Sequence, residues 1–237
     1  MDLYFLVIVI VLFSLVQSIA GIGLLLFGTP TLLIAGFQYS EALWVLLPAS
    51  CSLSLLQIIE NYNRIESKTE VFVLTVPALL VTLTVTLIFD YLIDVKTIVG
   101  GGLLIIGLMR LRNWSEDFLR RTVKKSKNYI YIAIGIIHGM TNLGGGPLMV
   151  LASSSFHEKE QISSNIAFVY FVLALSQLAV LSIFKQGLFD PKFLALVPIT
   201  ILIHLICRKN LILHIDNRKF SVLVNITILV FGLLCFA

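Results

Sequence analysis

Eight long apolar segments dominate this chain of 237 residues. A membrane-spanning helix needs about 20 mostly apolar residues, and by that rule the segments are residues 3–20, 41–59, 70–89, 95–110, 128–143, 160–184, 190–207 and 219–236. Charged residues make up 13% of the chain, about half the fraction in an ordinary soluble domain. The pattern predicts an all-α polytopic membrane protein and excludes soluble enzymes, disordered proteins and nucleic-acid-binding proteins.

The longest polar break separates the fourth and fifth segments. It runs from residue 110 to 127 and contains seven of the 17 basic residues. Two interpretations stay open: an interfacial helix with Trp114, Phe118 and Val123 on its apolar side, or a solvated charged linker. We predict a first membrane repeat over residues 1–110, a basic cytoplasmic linker over 111–127 and a second membrane repeat over 128–237.

The two halves carry matching landmarks in the same order. Gly21-Ile22-Gly23 and Gly28-Thr29-Pro30 correspond to Asn142-Leu143-Gly144 and Gly145-Gly146-Pro147, Glu41 corresponds to Glu160, and Val76-Pro77 to Val197-Pro198. Each glycine-rich break leads into a short apolar segment. We predict half-length helices that start at Thr29-Pro30 and at Gly146-Pro147, because proline in the first helical turn costs no hydrogen bond.

The relative direction of the two halves depends on whether the short segments cross the membrane. Five crossings per half give inverted repeats, and four give parallel repeats. Basic residues concentrate in cytoplasmic loops. With the linker inside, five crossings place 14 basic residues inside and 3 outside, whereas four crossings place 11 inside and 6 outside. The count favours inverted repeats with eight long transmembrane helices and two half-helices. The protein is then expected in the cell membrane (the inner or plasma membrane), with both termini on the outer side.

Glycine- and proline-interrupted segments at matching places in two halves are typical of a transporter's substrate site. A helix N-terminus attracts anions through its dipole and its free backbone N–H groups, and glycine lets an anion approach the backbone closely. We therefore predict a small anion held by backbone amides and hydroxyls, without a fixed cation. The predicted substrate-binding residues are Gly23, Gly28, Thr29, Ser50, Thr141, Asn142, Gly144, Gly145, Gly146 and Asn165.

Four of these polar residues have an alternative interpretation. Thr141, Asn142 and Asn165 either belong to the site or make hydrogen bonds between helices at membrane depth. Ser50 presents the same choice in the first half.

Histidines and prolines in the apolar segments are open to similar alternatives. Gln17 and His138 occupy equivalent positions just before the two breaks. His138 is either a proton carrier or a neutral, hydrogen-bonded histidine, and the second interpretation is favoured; His204 presents the same choice. Pro77 and Pro198 are expected to kink their helices.

The residues in and around the second break resemble the motif of a known protein family. Gly144-Gly145-Gly146-Pro147, followed by Leu148-Met149-Val150 and preceded by Gly135-Ile136-Ile137-His138-Gly139, resembles the second repeat of the sulfite exporter TauE/SafE family, also called the 4-toluene sulfonate uptake permease family. The weaker copy from Ala20 to Pro30 is similar to the first repeat. The resemblance covers the whole chain and implies a membrane transporter, a permease or exporter, of sulfite, organosulfonates or related sulfur-containing anions.

Other functional classes need other signatures. A membrane-embedded enzyme needs a carboxylate cluster, a metal set or a nucleophile with its base, whereas the acidic residues here lie near segment ends, so no enzyme activity and no cofactor or metal are expected. The absence of a Walker sequence excludes ATP as the direct energy source. An anion channel, a carrier of another small organic anion and a scaffold protein stay open. The expected partners are the anionic substrate and the lipid bilayer, with a homo-oligomer left open.

Overall fold

The computed structural model describes residues 3–66, 68–90, 92–111, 116–210 and 217–236, and these contain ten helices, with no strand among them. The helices are α1 (Leu3–Ala20), α2 (Leu24–Ile34), α3 (Tyr39–Glu60), α4 (Lys68–Ile88), α5 (Val95–Leu111), α6 (Glu116–Thr141), α7 (Gly145–Ser155), α8 (Lys159–Phe184), α9 (Leu196–Asn210) and α10 (Asn217–Leu234). Each predicted long segment overlaps one of these helices, although α9 begins six residues after the predicted start at residue 190. The two short helices, α2 and α7, have 11 residues each.

The helices are apolar on the outside of the fold as well as inside. Val81, Leu108 and Ile183 are each at least 60% exposed, which suits a lipid environment and would be costly in water. In the described part of the chain, α3, α4 and α8 are long and apolar enough to cross a membrane. Five other apolar helices have 10–17 residues. The all-helical architecture of a polytopic membrane protein agrees with the prediction, while eight full crossings stay a prediction.

The third helix of each half packs against its counterpart in the opposite direction. Near the start of α3, the Trp44 indole N–H donates to the backbone carbonyl of Lys185, just past the end of α8, at 3.0 Å. Near the start of α8, the Asn165 amide donates to the carbonyl of Arg64, just past the end of α3, at 2.9 Å. Helices α3 and α8 are therefore antiparallel.

The last helix of each half shows the same relation. Gly100, early in α5, faces Cys235 at the end of α10, and Gly107, late in α5, faces Leu229. Residue numbers rise along one helix as they fall along the other. Helices α5 and α10 are therefore antiparallel as well.

The first and fourth helices pack across the two halves. Lys127, in the middle of α6, forms an ion pair with Glu70, near the start of α4, at 2.6 Å. More than three turns further along both helices, Gly139 of α6 faces Leu83 of α4. These two helices therefore run parallel. The equivalent pair, α1 and α9, is also in contact. Each fourth helix thus lies against the first helix of the other half.

The predicted linker contains the start of a helix. Helix α6 begins at Glu116 and runs on into the second repeat, with a kink at Ser126, whose φ and ψ of −117° and 19° are not helical. The kink falls next to the predicted boundary at residue 127. Val123 is buried, whereas Trp114, which was predicted to share its apolar stripe, lies outside the described residues.

The predicted start of the first half-helix is wrong. Helix α2 begins at Leu24 and contains Pro30 in its interior. The Gln17 side chain accepts a hydrogen bond from the N–H of Leu24 at 3.2 Å, which supports an earlier start, and Pro30 then removes only one helical hydrogen bond. Helix α7 begins at Gly145, one residue before the prediction.

The two prolines expected to act as kinks lie near helix irregularities of different kinds. A π-helical turn spans Val71–Thr75, directly before Pro77, and regular α-helix resumes at Val76. Pro198 is the third residue of α9 and follows the 3-10 turn Pro191–Ala195. The expected kink at Pro198 is thus replaced by a helix start, where its missing N–H costs nothing.

Candidate anion-binding site

The two glycine-rich breaks lie side by side in the fold. A Cβ atom built on Gly145 would be 3.5 Å from the Ile22 side chain, and the Asn142 amide donates to the Thr29 hydroxyl at 2.9 Å. The two breaks, which precede α2 and α7, are therefore in contact.

Asn142 holds the second break in its unusual backbone conformation. Its φ is +63°, a positive value that no other non-glycine residue shows in the described ranges, and asparagine tolerates this left-handed conformation better than most residues. Its backbone N–H caps α6 by donating to the carbonyl of His138 at 2.9 Å. Its side chain bonds Thr29 and accepts from Gln177 at 3.4 Å. Asn142 therefore joins three helices.

Replacement of Asn142 separates its backbone and side-chain roles. Glycine adopts the left-handed conformation without cost, whereas alanine pays about 1–2 kcal/mol for it. We expect Asn142→Ala to unfold at a lower temperature than Asn142→Gly, although both lose the bond to Thr29. Thermal unfolding of the purified protein in detergent measures the difference, and equal melting temperatures would contradict the backbone role.

A cluster of buried polar side chains surrounds the N-terminus of α7. A Cβ on Gly145 would overlap the Tyr170 hydroxyl, and a Cβ on Gly144 would lie 2.9 Å from Nδ1 of His138. The two aromatic rings have centroids 5.8 Å apart, and Gln177 lies beside His138. The Tyr170 hydroxyl, both His138 ring nitrogens and the Gln177 carbonyl oxygen have no hydrogen-bond partner among the described residues.

The N-terminus of α2 has a different environment. The side-chain carbonyl oxygen of Gln17 accepts from the N–H of Leu24, and its side-chain amide nitrogen lies 3.5 Å from the Ser54 hydroxyl. Gly23 packs closely against Val16 and the backbone of Gln17. The first N-terminus is therefore occupied by the protein's own side chain, whereas Gly144, the N-cap of α7, has no side-chain cap.

Three predicted site residues have structural contacts instead of open donors. Gly28 lies against Leu46, and Gly146 lies against Ile106. The Thr141 hydroxyl donates to the carbonyl of Ile137 at 2.6 Å and accepts from the N–H of Leu143 at 3.3 Å. These residues shape the breaks, and Thr141 does so through hydrogen bonds.

No hydrogen bond among the described residues connects Asn165 or Ser50 to the polar cluster at the start of α7. The Asn165 side chain accepts from Glu66 N–H at 3.0 Å and donates to the carbonyls of Arg64 and Gln161, so it fastens the loop after α3 onto α8. Ser50 is fully buried, and its hydroxyl has no partner among the described residues. For Asn165 the contacts favour the helix-bridging interpretation.

Tyr170 and Gln177 were missed at the sequence level. They are seven residues apart, two helical turns, and thus lie on one face of α8, which would have signalled a polar face in an apolar helix. The His138 ring has no hydrogen-bond partner in the described ranges, so the hydrogen-bonded part of its favoured interpretation is not found, while its neutral state stays a prediction. His204, by contrast, contacts Ser18 at 3.2 Å and Glu60 at 3.3 Å.

A cavity of about 450 Å³ opens between the end of α2 and the starts of α3 and α5. Its lining includes Tyr39, Asp90 and Lys96. The Tyr39 hydroxyl donates to the carbonyl of Gly139, three residues before Asn142, at 3.3 Å. Tyr39 thus lines the cavity and also bonds the end of α6 that leads into the second break.

An apolar helical fold with two adjoining breaks and a buried polar cluster defines a membrane transport protein. The sequence profile of the family described as Sulfite exporter TauE/SafE matches residues 6–234. The chain belongs to this family, and the resemblance noted in its glycine motifs is confirmed. Comparison with curated proteins and with solved structures finds no match.

Proposed function

We propose that this protein carries a small sulfur-containing oxyanion, such as sulfite or an organosulfonate, across the membrane and binds it at the N-terminus of α7. The observation that carries the proposal is the uncapped N-terminus at Gly144, faced by the unpartnered hydroxyl of Tyr170 and the unpartnered ring of His138. A helix N-terminus supplies partial positive charge and N–H donors. The site binds an anion without a lysine or arginine.

The capped N-terminus of α2 plays a supporting role. Because the Gln17 side chain already bonds the N–H of Leu24, the polar side chain that faces the start of α2 is engaged, whereas those that face the start of α7 have no partner among the described residues. The contribution of the first break comes through Thr29, which positions Asn142. We therefore assign the anion to one N-terminus and the support of its geometry to the other, although the two breaks are equivalent in sequence.

We infer that the two halves are inverted repeats. Repeats related by an axis within the membrane plane have antiparallel counterparts, whereas an axis along the membrane normal gives parallel counterparts. The antiparallel pairs α3 with α8 and α5 with α10 support the inverted arrangement. The positive-inside count supports the same arrangement and places the linker in the cytoplasm.

Cysteine labelling tests this topology. In a background in which Cys51, Cys207 and Cys235 are replaced by serine, we expect Gly187→Cys to react with an impermeant maleimide from outside and Lys125→Cys only after permeabilisation. A cysteine added after residue 237 should also react from outside. Four crossings per half would place all three positions inside, so labelling of all three from one side would overturn the inverted model.

Flux into liposomes tests the function. We expect purified protein to give saturable uptake of radiolabelled sulfite, with strong competition by unlabelled sulfite, weaker competition by sulfonates and little by chloride. Saturation is expected of a carrier, because Asn142 and Tyr170 are at most 1% exposed and the site is closed. Linear, non-saturating flux would indicate the alternative, an anion channel. No flux above empty liposomes from correctly inserted protein would overturn sulfite transport.

A further inference from the structure

The unpartnered groups at the α7 site include hydrogen-bond acceptors as well as donors, and this limits the chemical form of the ligand. We propose that the site binds the monoprotonated form of a small oxyanion, such as hydrogensulfite, in preference to the fully deprotonated dianion or to a sulfonate. The inference rests on the proposed function and specifies its ligand.

Four atoms define the chemistry of the site. The Tyr170 hydroxyl lies at Gly145, Nδ1 of His138 lies at Gly144, and Gln177 lies beside His138. All three side chains are at most 1% exposed, and the hydroxyl, both ring nitrogens and the Gln177 carbonyl oxygen have no partner in the part of the chain that the structure describes. The Gln177 amide nitrogen donates to the Asn142 side-chain oxygen at 3.4 Å, so the Gln177 carbonyl oxygen is the atom that stays without a partner.

The donor and acceptor count follows from ordinary side-chain chemistry. An isolated buried charge is costly, so the His138 imidazole is neutral, with one donor nitrogen and one acceptor nitrogen. Tyr170 adds a donor, and the Gln177 carbonyl adds an acceptor. Gln177 is close enough to accept from one His138 nitrogen, and the second nitrogen is then the acceptor. The Tyr170 hydroxyl does not bond that nitrogen in the structure, so the site offers at least one acceptor to the ligand.

A fully deprotonated oxyanion cannot satisfy that acceptor. Sulfite as a dianion, and a sulfonate group, present oxygen acceptors only, so a buried lone pair of the protein would face a negative oxygen. Leaving a buried polar group unsatisfied is strongly unfavourable, and sites built to hydrogen-bond a ligand O–H discriminate well against ligands without it. Hydrogensulfite supplies one O–H donor, two further oxygens and a single charge, which matches the groups present.

Other titratable groups near α7 are few. The helix packs against α6, α8 and α2, and its first turn also touches Ile106 of α5. Helix α6 brings His138 and α8 brings Tyr170 to its N-terminus, whereas α2 contains no titratable residue and the α5 contact is apolar. Tyr131 of α6 faces the opposite end of α7, near Ser155. Tyr39 of α3 is bonded to the backbone of α6. A pH effect on binding at the α7 site thus comes from the ligand, His138 or Tyr170.

Binding measurements with three anions separate these sources. We propose calorimetric titration of the purified full-length protein with sulfite, selenite and methanesulfonate from pH 6 to pH 9. Above the last acid constant of sulfite, its apparent affinity should fall about tenfold per pH unit, because only the protonated fraction binds. Selenite keeps its last proton to higher pH, so its fall should begin at higher pH. Methanesulfonate, which carries no O–H, should bind at least about tenfold more weakly at pH 6.

Each outcome has a distinct meaning. A common midpoint for sulfite and selenite would show that a protein group titrates and would overturn the inference. Tight, pH-independent binding of methanesulfonate would also overturn it while leaving the proposed function intact. No binding of any of the three anions by folded protein would instead refute the anion site itself.

Two conservative variants give a second measurement. Tyr170→Phe removes a donor, so both forms of the anion should bind more weakly with an unchanged pH profile. Gln177→Met removes an acceptor at similar size, so the preference for sulfite over methanesulfonate should shrink. Gly101→Ala, at a glycine with no atom within 4 Å of an added Cβ, is the control for handling. An unchanged preference in Gln177→Met, with its fold intact, would contradict the acceptor role.

Discussion

Gly145→Ala is expected to reduce anion uptake by about 10- to 100-fold. The added methyl group would overlap the Tyr170 hydroxyl at the place where the proposed anion binds. Overpacking of a well-packed site costs about 1–3 kcal/mol, and the same cost in anion binding corresponds to about 5- to 150-fold in affinity, which brackets the expected loss. Initial rates of sulfite uptake into liposomes, at a concentration below saturation, measure the loss.

A double variant separates the steric effect from the chemical one. In Gly145→Ala/Tyr170→Phe the overlapping oxygen is gone, and the nearest ring carbon lies 3.1 Å from the new methyl group. We expect its melting temperature to recover while uptake stays low, because the donor is lost. Gly101→Ala carries the same change in open space and should transport normally. Normal uptake by Gly145→Ala would refute the placement of the anion at this N-terminus.

Gly135→Ala is expected to destabilise the protein most among single methyl additions outside the site. Its Cβ would overlap the backbone carbonyl of Thr75 and lie 2.9 Å from Cβ of Ala78, and backbone atoms of α4 cannot rotate away as a side chain can. Separating α4 from α6 costs about 3 kcal/mol on the scale of overpacked cores. Thermal unfolding in detergent should show a clear fall in melting temperature.

The control variant Gly101→Ala is not expected to lower the melting temperature. Glycine inside a helix is less stable than alanine by about 0.5–1 kcal/mol, so Gly101→Ala, which meets no neighbour, should raise the melting temperature slightly or leave it unchanged. Gly139→Ala, which faces Thr82 and Leu79 of the same helix α4, should behave like Gly135→Ala. Equal melting temperatures for Gly135→Ala and Gly101→Ala would contradict the close packing of α4 on α6.

The helices were predictable because their signal is local. An apolar run and its flanking charges fix a helix within a few residues, as for α3, predicted over residues 41–59 and found over Tyr39–Glu60. The errors come from contacts that lie outside the local pattern. Helix α2 starts before its proline, because the distant side chain of Gln17 caps Leu24, and no pattern near Thr29 indicates such a contact.

The candidate site was only partly predictable, because it is assembled from separate helices. The glycines of the second break and Asn142 follow from the duplicated motif. Asn165 of α8 was predicted together with them, but its side-chain amide binds the loop at Glu66. Tyr170 and Gln177 come from further along the same helix, and only the packing of α8 against α6 places them beside His138.

The sequence by itself determined the all-helical membrane class, the two breaks and the family and predicted the duplication, since apolar length and glycine spacing are properties of contiguous residues. Only the tertiary structure decided that the two breaks differ. In sequence they are equivalent, with Gln17 and His138 at matching positions. In the fold Gln17 caps its helix while the His138 ring stays unpartnered in the described chain, because hydrogen bonding depends on distances and directions that helix packing alone sets.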